Sequence, residues 1–167
     1  MHVMVNAKCL RIGTLRLCLA LMLGLLAVPG YIVAPVLFAK AGTVSMAGML
    51  AGEVFHVTNM GLILLSVVVI ALWLRMRSRG MEVGRMRWSL LLLLAALIVT
   101  NEYGISPIQA DLKAQVGSMD LVAKDDPIRQ QFGIWHGVSA VLHLISAIAA
   151  AAMVALGPTG RGESCSS

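Results

Sequence analysis

Four long apolar runs are the feature that most constrains this chain. The first, residues 17–39, holds 23 residues without a charge, and about 20 helical residues cross a ~30 Å hydrocarbon core. Three further helices are predicted at about 45–74, 88–107 and 127–156. The chain is 59% hydrophobic and only 13% charged, whereas a soluble domain carries roughly 25% charged residues. The sequence therefore predicts an all-α fold, an integral membrane four-helix bundle over residues 17–156.

Local signals set the ends of these helices. The first run exceeds the roughly 7–15 apolar residues of a signal peptide, so we predict a retained helix. The uncharged part of the third helix is short, and a spanning helix must continue through Glu102 toward Pro107. The fourth helix begins after Asp126, an N-cap residue followed by proline at the first helical position. It ends before the Gly157-Pro158 pair.

Basic residues are divided unequally between the two ends of the predicted bundle. One side carries four: Lys40, Lys113, Lys124 and Arg129. The other carries nine: Lys8, Arg11, Arg16, Arg75, Arg77, Arg79, Arg85, Arg87 and Arg161. Because the side richer in Lys and Arg stays in the cytoplasm, we predict an N-in/C-in topology in a bacterial inner membrane. Segments 1–16 and 157–167 are then cytoplasmic, and the net charge of +5 indicates lipid headgroups rather than nucleic acid as the partner.

Two G-x-x-x-G pairs lie in the second and fourth helices. They are Gly48 with Gly52 and Gly133 with Gly137. Such small residues let helix backbones approach closely in lipid, so we expect helix packing at these four positions. Chance is the alternative in a chain rich in alanine and glycine.

Polar residues follow one stripe on each of these two helices. Side chains in the membrane that can ionise are costly and usually face the bundle interior with a partner. Glu53 lies about 60° from His56 around the helix and shares its site. We therefore expect the two stripes to face each other, and they consist of His56, Asn59 and Ser66 on the second helix and His136, Ser139, His143 and Ser146 on the fourth.

Depth along the helices separates these groups into two levels. Counted from the cytoplasmic ends, His56 and His136 lie roughly 27 and 30 Å up, and Glu102 and His143 roughly 21 and 20 Å up. We predict that Glu102 and His143 form a buried carboxylate–imidazole pair below His56 and His136. Together they would line a polar pocket that opens to the periplasm.

Two interpretations of this pocket stay open. The side chains either fix helix register by hydrogen bonding or form a metal, haem or proton site. Two histidines on different helices suit haem b or copper, with His56, His136 and Glu53 as metal ligands and Glu102 and His143 beside the cofactor. The single E-x-x-H motif at Glu53–His56 does not suffice for a di-metal carboxylate site, which needs two. Sequence motifs of hydrolases, zinc proteases and nucleotide-binding enzymes do not occur, so we expect a protein that is not an enzyme.

Several short motifs occur in a characteristic order: Ala34-Pro35-Val36-Leu37-Phe38, Asn101 with Ser106-Pro107, and Asp126 followed by Phe132-Gly133-x-x-His136-Gly137-x-Ser139. Their arrangement resembles a bacterial four-helix membrane family of unknown function grouped with human transmembrane protein 205, over about residues 15–156. The human protein is associated with platinum-drug resistance, which hints at metal or export biology. A more remote similarity extends to copper-resistance D proteins and membrane protoporphyrinogen oxidase, whose histidines are implicated in copper or haem.

The resemblance implies a small inner-membrane protein. Its motifs include His136 but not all of the candidate residues. His143 stands where the family pattern has asparagine, and Glu53 and Glu102 have no counterpart in the motifs. Our leading hypothesis is a membrane protein that binds or passes a small ligand, such as haem or a transition metal. The alternatives are an accessory subunit of a larger complex, a homo-oligomer, or an enzyme acting on a lipid or porphyrin with Glu102 as its acid or base.

Overall fold

The computed structural model describes residues 7–159, except for the side chain of Lys8. The first part of the predicted N-terminal segment, and the tail from residue 160 with Arg161, lie outside the described residues. All regular structure within residues 7–159 is helical, which confirms the all-α prediction. In chain order the elements are α1 (Ala7–Val28), a π turn (Pro29–Val33), α2 (Ala34–Lys40), α3 (Val44–Arg77), α4 (Arg85–Thr100), a second π turn (Asn101–Ile105), α5 (Ser106–Val116), a short 3-10 turn (Met119–Leu121) and α6 (Pro127–Leu156).

Four continuous helices are long and apolar enough to cross a membrane. We call them the first to fourth spans: Cys9–Lys40, Val44–Arg77, Arg85–Val116 and Pro127–Leu156. Large apolar side chains such as Leu17, Leu64, Leu92 and Ile148 are exposed on all four. A water-soluble protein rarely exposes so much contiguous apolar surface. The chain is therefore a multi-pass membrane protein.

Capping side chains and glycines determine where several helices begin and end. The Thr43 side chain accepts the Met46 N–H at 3.1 Å before α3, and Asp126 accepts the Ile128 N–H at 2.8 Å before α6. Gly117 and Gly157, which follow α5 and α6, both have φ of 71°. Positive φ is easily reached only by glycine, so the helices end there.

Several helix bounds differ from those predicted, and two of them differ by more than one helical turn. α1 begins at Ala7 rather than near residue 17, because Arg11 and Arg16 fit on a helix whose long basic side chains reach the interface. The third helix runs past Pro107 to Val116. The π turn Asn101–Ile105 directly precedes Ser106-Pro107, and it accommodates the missing N–H of the proline without ending the helix.

Each span packs against two neighbours. The first and the third spans both contact the second and the fourth. The second and fourth spans consequently lie diagonally across the bundle, as do the first and third. The end of the bundle that carries the loop between α3 and α4, which we call the arginine end, has an apolar core. That core includes Leu15, Met22, Leu62, Val69, Trp73, Leu91, Leu94 and Met153.

Candidate functional site

Two π turns widen the first and third spans. Each ends one residue before an X-Pro pair: Pro29–Val33 precedes Ala34-Pro35, and Asn101–Ile105 precedes Ser106-Pro107. The N–H of Ala34 donates to the carbonyl of Pro29, and that of Ser106 to Asn101. This five-residue spacing defines a π turn, and proline favours it because its ring nitrogen donates nothing to the preceding turn. Single π turns inside α-helices often occur at functional sites.

Glu102 lies in the second π turn and is the buried carboxylate of the bundle interior. Its side chain is only 7% exposed. One carboxylate oxygen accepts from Nδ1 of His56, and the other accepts from Nδ2 of Asn59 at 2.7 Å. His56 and Asn59 are three residues apart on α3, so they lie on one helix face. The three side chains form a continuous hydrogen-bonded unit across the second and third spans.

The His56 ring connects this buried unit to the outside of the bundle. Its side chain is 58% exposed. Because a carboxylate only accepts hydrogen bonds, Nδ1 of His56 carries the proton toward Glu102. In the neutral ring Nε2 then holds a free lone pair. A histidine held in this way by a carboxylate has a fixed tautomer and a fixed ring orientation.

The predicted pairing of Glu102 with His143 is wrong. Nε2 of His143 donates instead to the carbonyl oxygen of Leu26, at 2.9 Å. The ring of His143 is thus bonded to the first span rather than to Glu102 on the third. Counting depth along ideal helices misses this bond, because it compares side chains with side chains and leaves out backbone carbonyls as partners.

His143 fits against a glycine that the sequence analysis did not single out. A Cβ on Gly30 would lie 2.6 Å from Nε2 of His143, so only glycine leaves room for the ring. Phe55 meets the ring edge-on, with centroids 5.2 Å apart at 84°, and Tyr31 lies at 6.2 Å. Gly30 itself is the signal in the sequence, because a residue without a side chain inside a membrane helix leaves room for a group from a neighbouring helix.

A small polar cavity lies where all four spans meet. The volume that the centre of a water molecule can occupy is about 10 Å³, which is about enough for one water. Oδ1 of Asn101 is buried there without a hydrogen-bond partner among the described residues. A single water would satisfy this oxygen and connect it to other polar residues. The lining consists of Leu26, Asn59, Leu97, Ile98, Asn101, Leu142, His143 and Ser146.

His136 and Glu53 do not join His56 in the described structure. Both are exposed. His136 stacks on Phe132, with ring centroids 6.0 Å apart, and the Lys113 ammonium lies 5.4 Å from the centre of the same phenyl ring. His136 lies two turns nearer the start of α6 than His143, which does reach the second span at Phe55. Among residues 7–159, no three His, Cys, Asp or Glu side chains come together as a possible metal site.

The four glycines of the G-x-x-x-G pairs do not bring helices together within one chain. A Cβ added at Gly48, Gly52, Gly133 or Gly137 meets no atom within 4 Å. Gly48 is partly buried and the other three are exposed. The expected packing at these positions is therefore not found inside the bundle, and the close approach occurs at Gly30.

The chain matches a known protein family over more than half of its length. The sequence model of a family described as a domain of unknown function (DUF4149) matches residues 17–118. The chain belongs to the DUF4149 family. The matched part of this DUF4149 protein includes His56, Asn59 and Glu102, whereas His136 and His143 follow it. No curated protein and no solved structure matches the chain.

Proposed function

We propose that this membrane protein binds a haem, or a transition metal with an incomplete protein ligand set, at Nε2 of His56. The hydrogen bond from His56 to the buried Glu102 carries the proposal. Histidines that bind metals almost always donate their other ring N–H to a carboxylate, a carbonyl or water. Asn59 holds the second carboxylate oxygen, which keeps the acceptor in place.

The number of protein donors favours haem over a bare metal ion. A closed metal site needs several protein ligands, and the described residues bring together no group of three. Haem iron needs one or two axial ligands. His56 supplies one, and its exposed ring gives a flat macrocycle access from the lipid-facing side. The proposal needs no second protein ligand, and His136 is stacked on Phe132 instead.

An absorption spectrum tests this function directly. Protein purified from cells supplied with haem and copper should show a Soret band or bound metal, and His56→Ala should abolish both. Glu102→Gln should keep the ligand but shift its reduction potential, because the acceptor for the ligating ring changes from charged to neutral. His136→Ala is the matched control and should retain full occupancy. Colourless, metal-free wild-type protein, or equal occupancy in His56→Ala, contradicts the proposal.

A role as an accessory subunit is the second candidate, favoured by the open space at the two G-x-x-x-G pairs. Three of these glycines are exposed, and a Cβ at any of the four meets open space. Such surfaces suit close packing with a helix of another membrane protein or of a second copy. Gly52→Leu and Gly137→Leu should then remove a stoichiometric partner that is recovered in mild detergent. Gly24→Leu on the first span is the control, and its partner recovery should match the wild type.

We infer the cellular orientation from the same charges that the sequence presents. Nine basic residues on one side support an inner-membrane protein with both ends in the cytoplasm. The short motifs in the first, third and fourth spans support the grouping with human transmembrane protein 205. A C-terminal alkaline phosphatase fusion should be inactive and a fluorescent protein fusion bright. An active phosphatase would show that the C-terminus lies in the periplasm and would contradict this topology.

A further inference from the structure

The cavity where the four spans meet is lined by polar residues whose remaining polar atoms accept hydrogen bonds. Three of its four polar lining residues use a donor on another protein group. These bonds run from Nδ2 of Asn59 to Glu102 at 2.7 Å, from Nε2 of His143 to the Leu26 carbonyl at 2.9 Å, and from Oγ of Ser146 to the Leu142 carbonyl at 2.8 Å. The polar atoms not used in these bonds are an amide oxygen, the second nitrogen of a neutral ring and the lone pairs of a hydroxyl, all of which accept. The fourth residue, Asn101, adds Oδ1, which is buried without a partner among the described residues.

An occupant of this cavity therefore has to satisfy acceptors rather than donors. The space suffices for about one water molecule. A single water donates two hydrogens, and its own lone pairs then need donors in turn. A small dehydrated cation interacts with every acceptor around it and brings no lone pair that has to be satisfied.

A buried negative charge adjoins the cavity. The carboxylate of Glu102 is only 7% exposed and bonds to Asn59, which lines the cavity. Within residues 7–159 the carboxylate pairs with His56 and with no lysine or arginine, so a neutral His56 ring leaves its charge uncompensated. Because an unpaired charge inside a membrane bundle is costly, the electrostatic potential at the cavity favours a cation.

We propose that the cavity binds one sodium ion at Oδ1 of Asn101, with Asn59 and Ser146 as further oxygen ligands. Amide and carbonyl oxygens are common ligands of hard cations. Sodium sites in membrane transporters lie where spanning helices are interrupted, and Asn101 begins the π turn of the third span. The bound ion joins the second, third and fourth spans. His56 does not line the cavity, so the site is independent of the ligand proposed there.

The stability of the full chain in detergent tests this site. The melting temperature is measured in mixtures of sodium chloride and choline chloride at constant ionic strength, and again with potassium chloride in place of sodium chloride. Above its dissociation constant, sodium should raise the melting temperature by about 3–6 °C for each tenfold increase in concentration, because it binds the folded state. Radioactive sodium should bind at one ion per chain. An equal effect of sodium, potassium and choline, or no bound sodium, would overturn the proposal and leave water as the occupant.

Two buried serines provide a matched pair of variants. Ser146 and Ser66 are 2% and 3% exposed, and each hydroxyl donates to a carbonyl one turn earlier at 2.8 Å. Ser146 lines the cavity and Ser66 does not. Ser146→Ala should weaken sodium affinity by about 10–100-fold, whereas Ser66→Ala should keep the wild-type response.

Asn101→Leu removes the buried oxygen at nearly constant side-chain volume and should abolish the sodium response. A wild-type response in Asn101→Leu or in Ser146→Ala contradicts the assignment of the ion to this cavity. An equal loss in Ser66→Ala contradicts it as well, because that serine lies outside the lining.

Discussion

The close contact of Gly30 with His143 predicts strong energetic coupling between these positions. A Cβ on residue 30 would lie 2.6 Å from Nε2 and 3.1 Å from Cδ2 of His143, well inside van der Waals contact. Gly30→Ala therefore pushes the ring away from the Leu26 carbonyl. Gly24 on the same span provides the matched control, because a Cβ there meets no atom within 4 Å.

The expected magnitude follows from two opposing contributions to the free energy of unfolding. Alanine is more favourable than glycine in a helix by about 1 kcal/mol, at either position. At Gly30 the change also loses a hydrogen bond between spans, worth about 0.6–1.7 kcal/mol, and the ring contact with Phe55, worth about 0.5–1.5 kcal/mol. Gly24→Ala should thus stabilise by up to about 1 kcal/mol. Gly30→Ala should range from neutral to about 2 kcal/mol destabilising.

A double-mutant cycle with His143→Ala isolates the contact. Without the imidazole, a Cβ at residue 30 no longer collides with it, so Gly30→Ala should become as favourable as Gly24→Ala. The expected coupling energy is about 1–3 kcal/mol. Unfolding of the purified protein in mixed micelles, followed by circular dichroism, measures each free energy. If Gly30→Ala changes stability equally with and without His143, the contact does not constrain the ring and the reasoning is refuted.

Three further predictions concern other contacts. Glu102→Ala removes the acceptor of two side chains and should destabilise the bundle by about 1–3 kcal/mol; an unchanged melting temperature would argue against the hydrogen-bonded unit. Hydrogen bonds from the side chain and the backbone N–H of Ser45 lower the pKa of Asp120. The ionised carboxylate therefore stabilises the fold at pH values above its ordinary pKa, and this stability is lost as the pH falls through the lowered pKa. The melting temperatures of Asp120→Asn and wild type should differ at neutral pH and converge in acid. Arg87→Gln removes two bonds to the end of α6 and should speed amide exchange in its last turn, whereas Arg85→Gln should not.

The sequence by itself determined the class of the molecule. Long uncharged runs cannot fold in water without exposing apolar surface, and lipid forces each run to satisfy its own backbone as a helix. Asp126-Pro127 and Gly157 act through the backbone next to them, so the limits of the fourth helix were readable directly. The continuation of the third helix through Glu102 was likewise required by length alone.

Tertiary structure decided which polar groups meet. Helical spacing correctly placed Asn59 and Ser66 on a face that is buried, because that rule depends only on one helix. It paired Glu102 with His143 wrongly, since the partner depends on which spans are neighbours and on where a glycine leaves room for a side chain. His136 is exposed and stacks on Phe132, and the space at Gly30 lets His143 reach the carbonyl of Leu26 on the first span. Such contacts join residues up to 117 positions apart, and no local pattern in the chain encodes them.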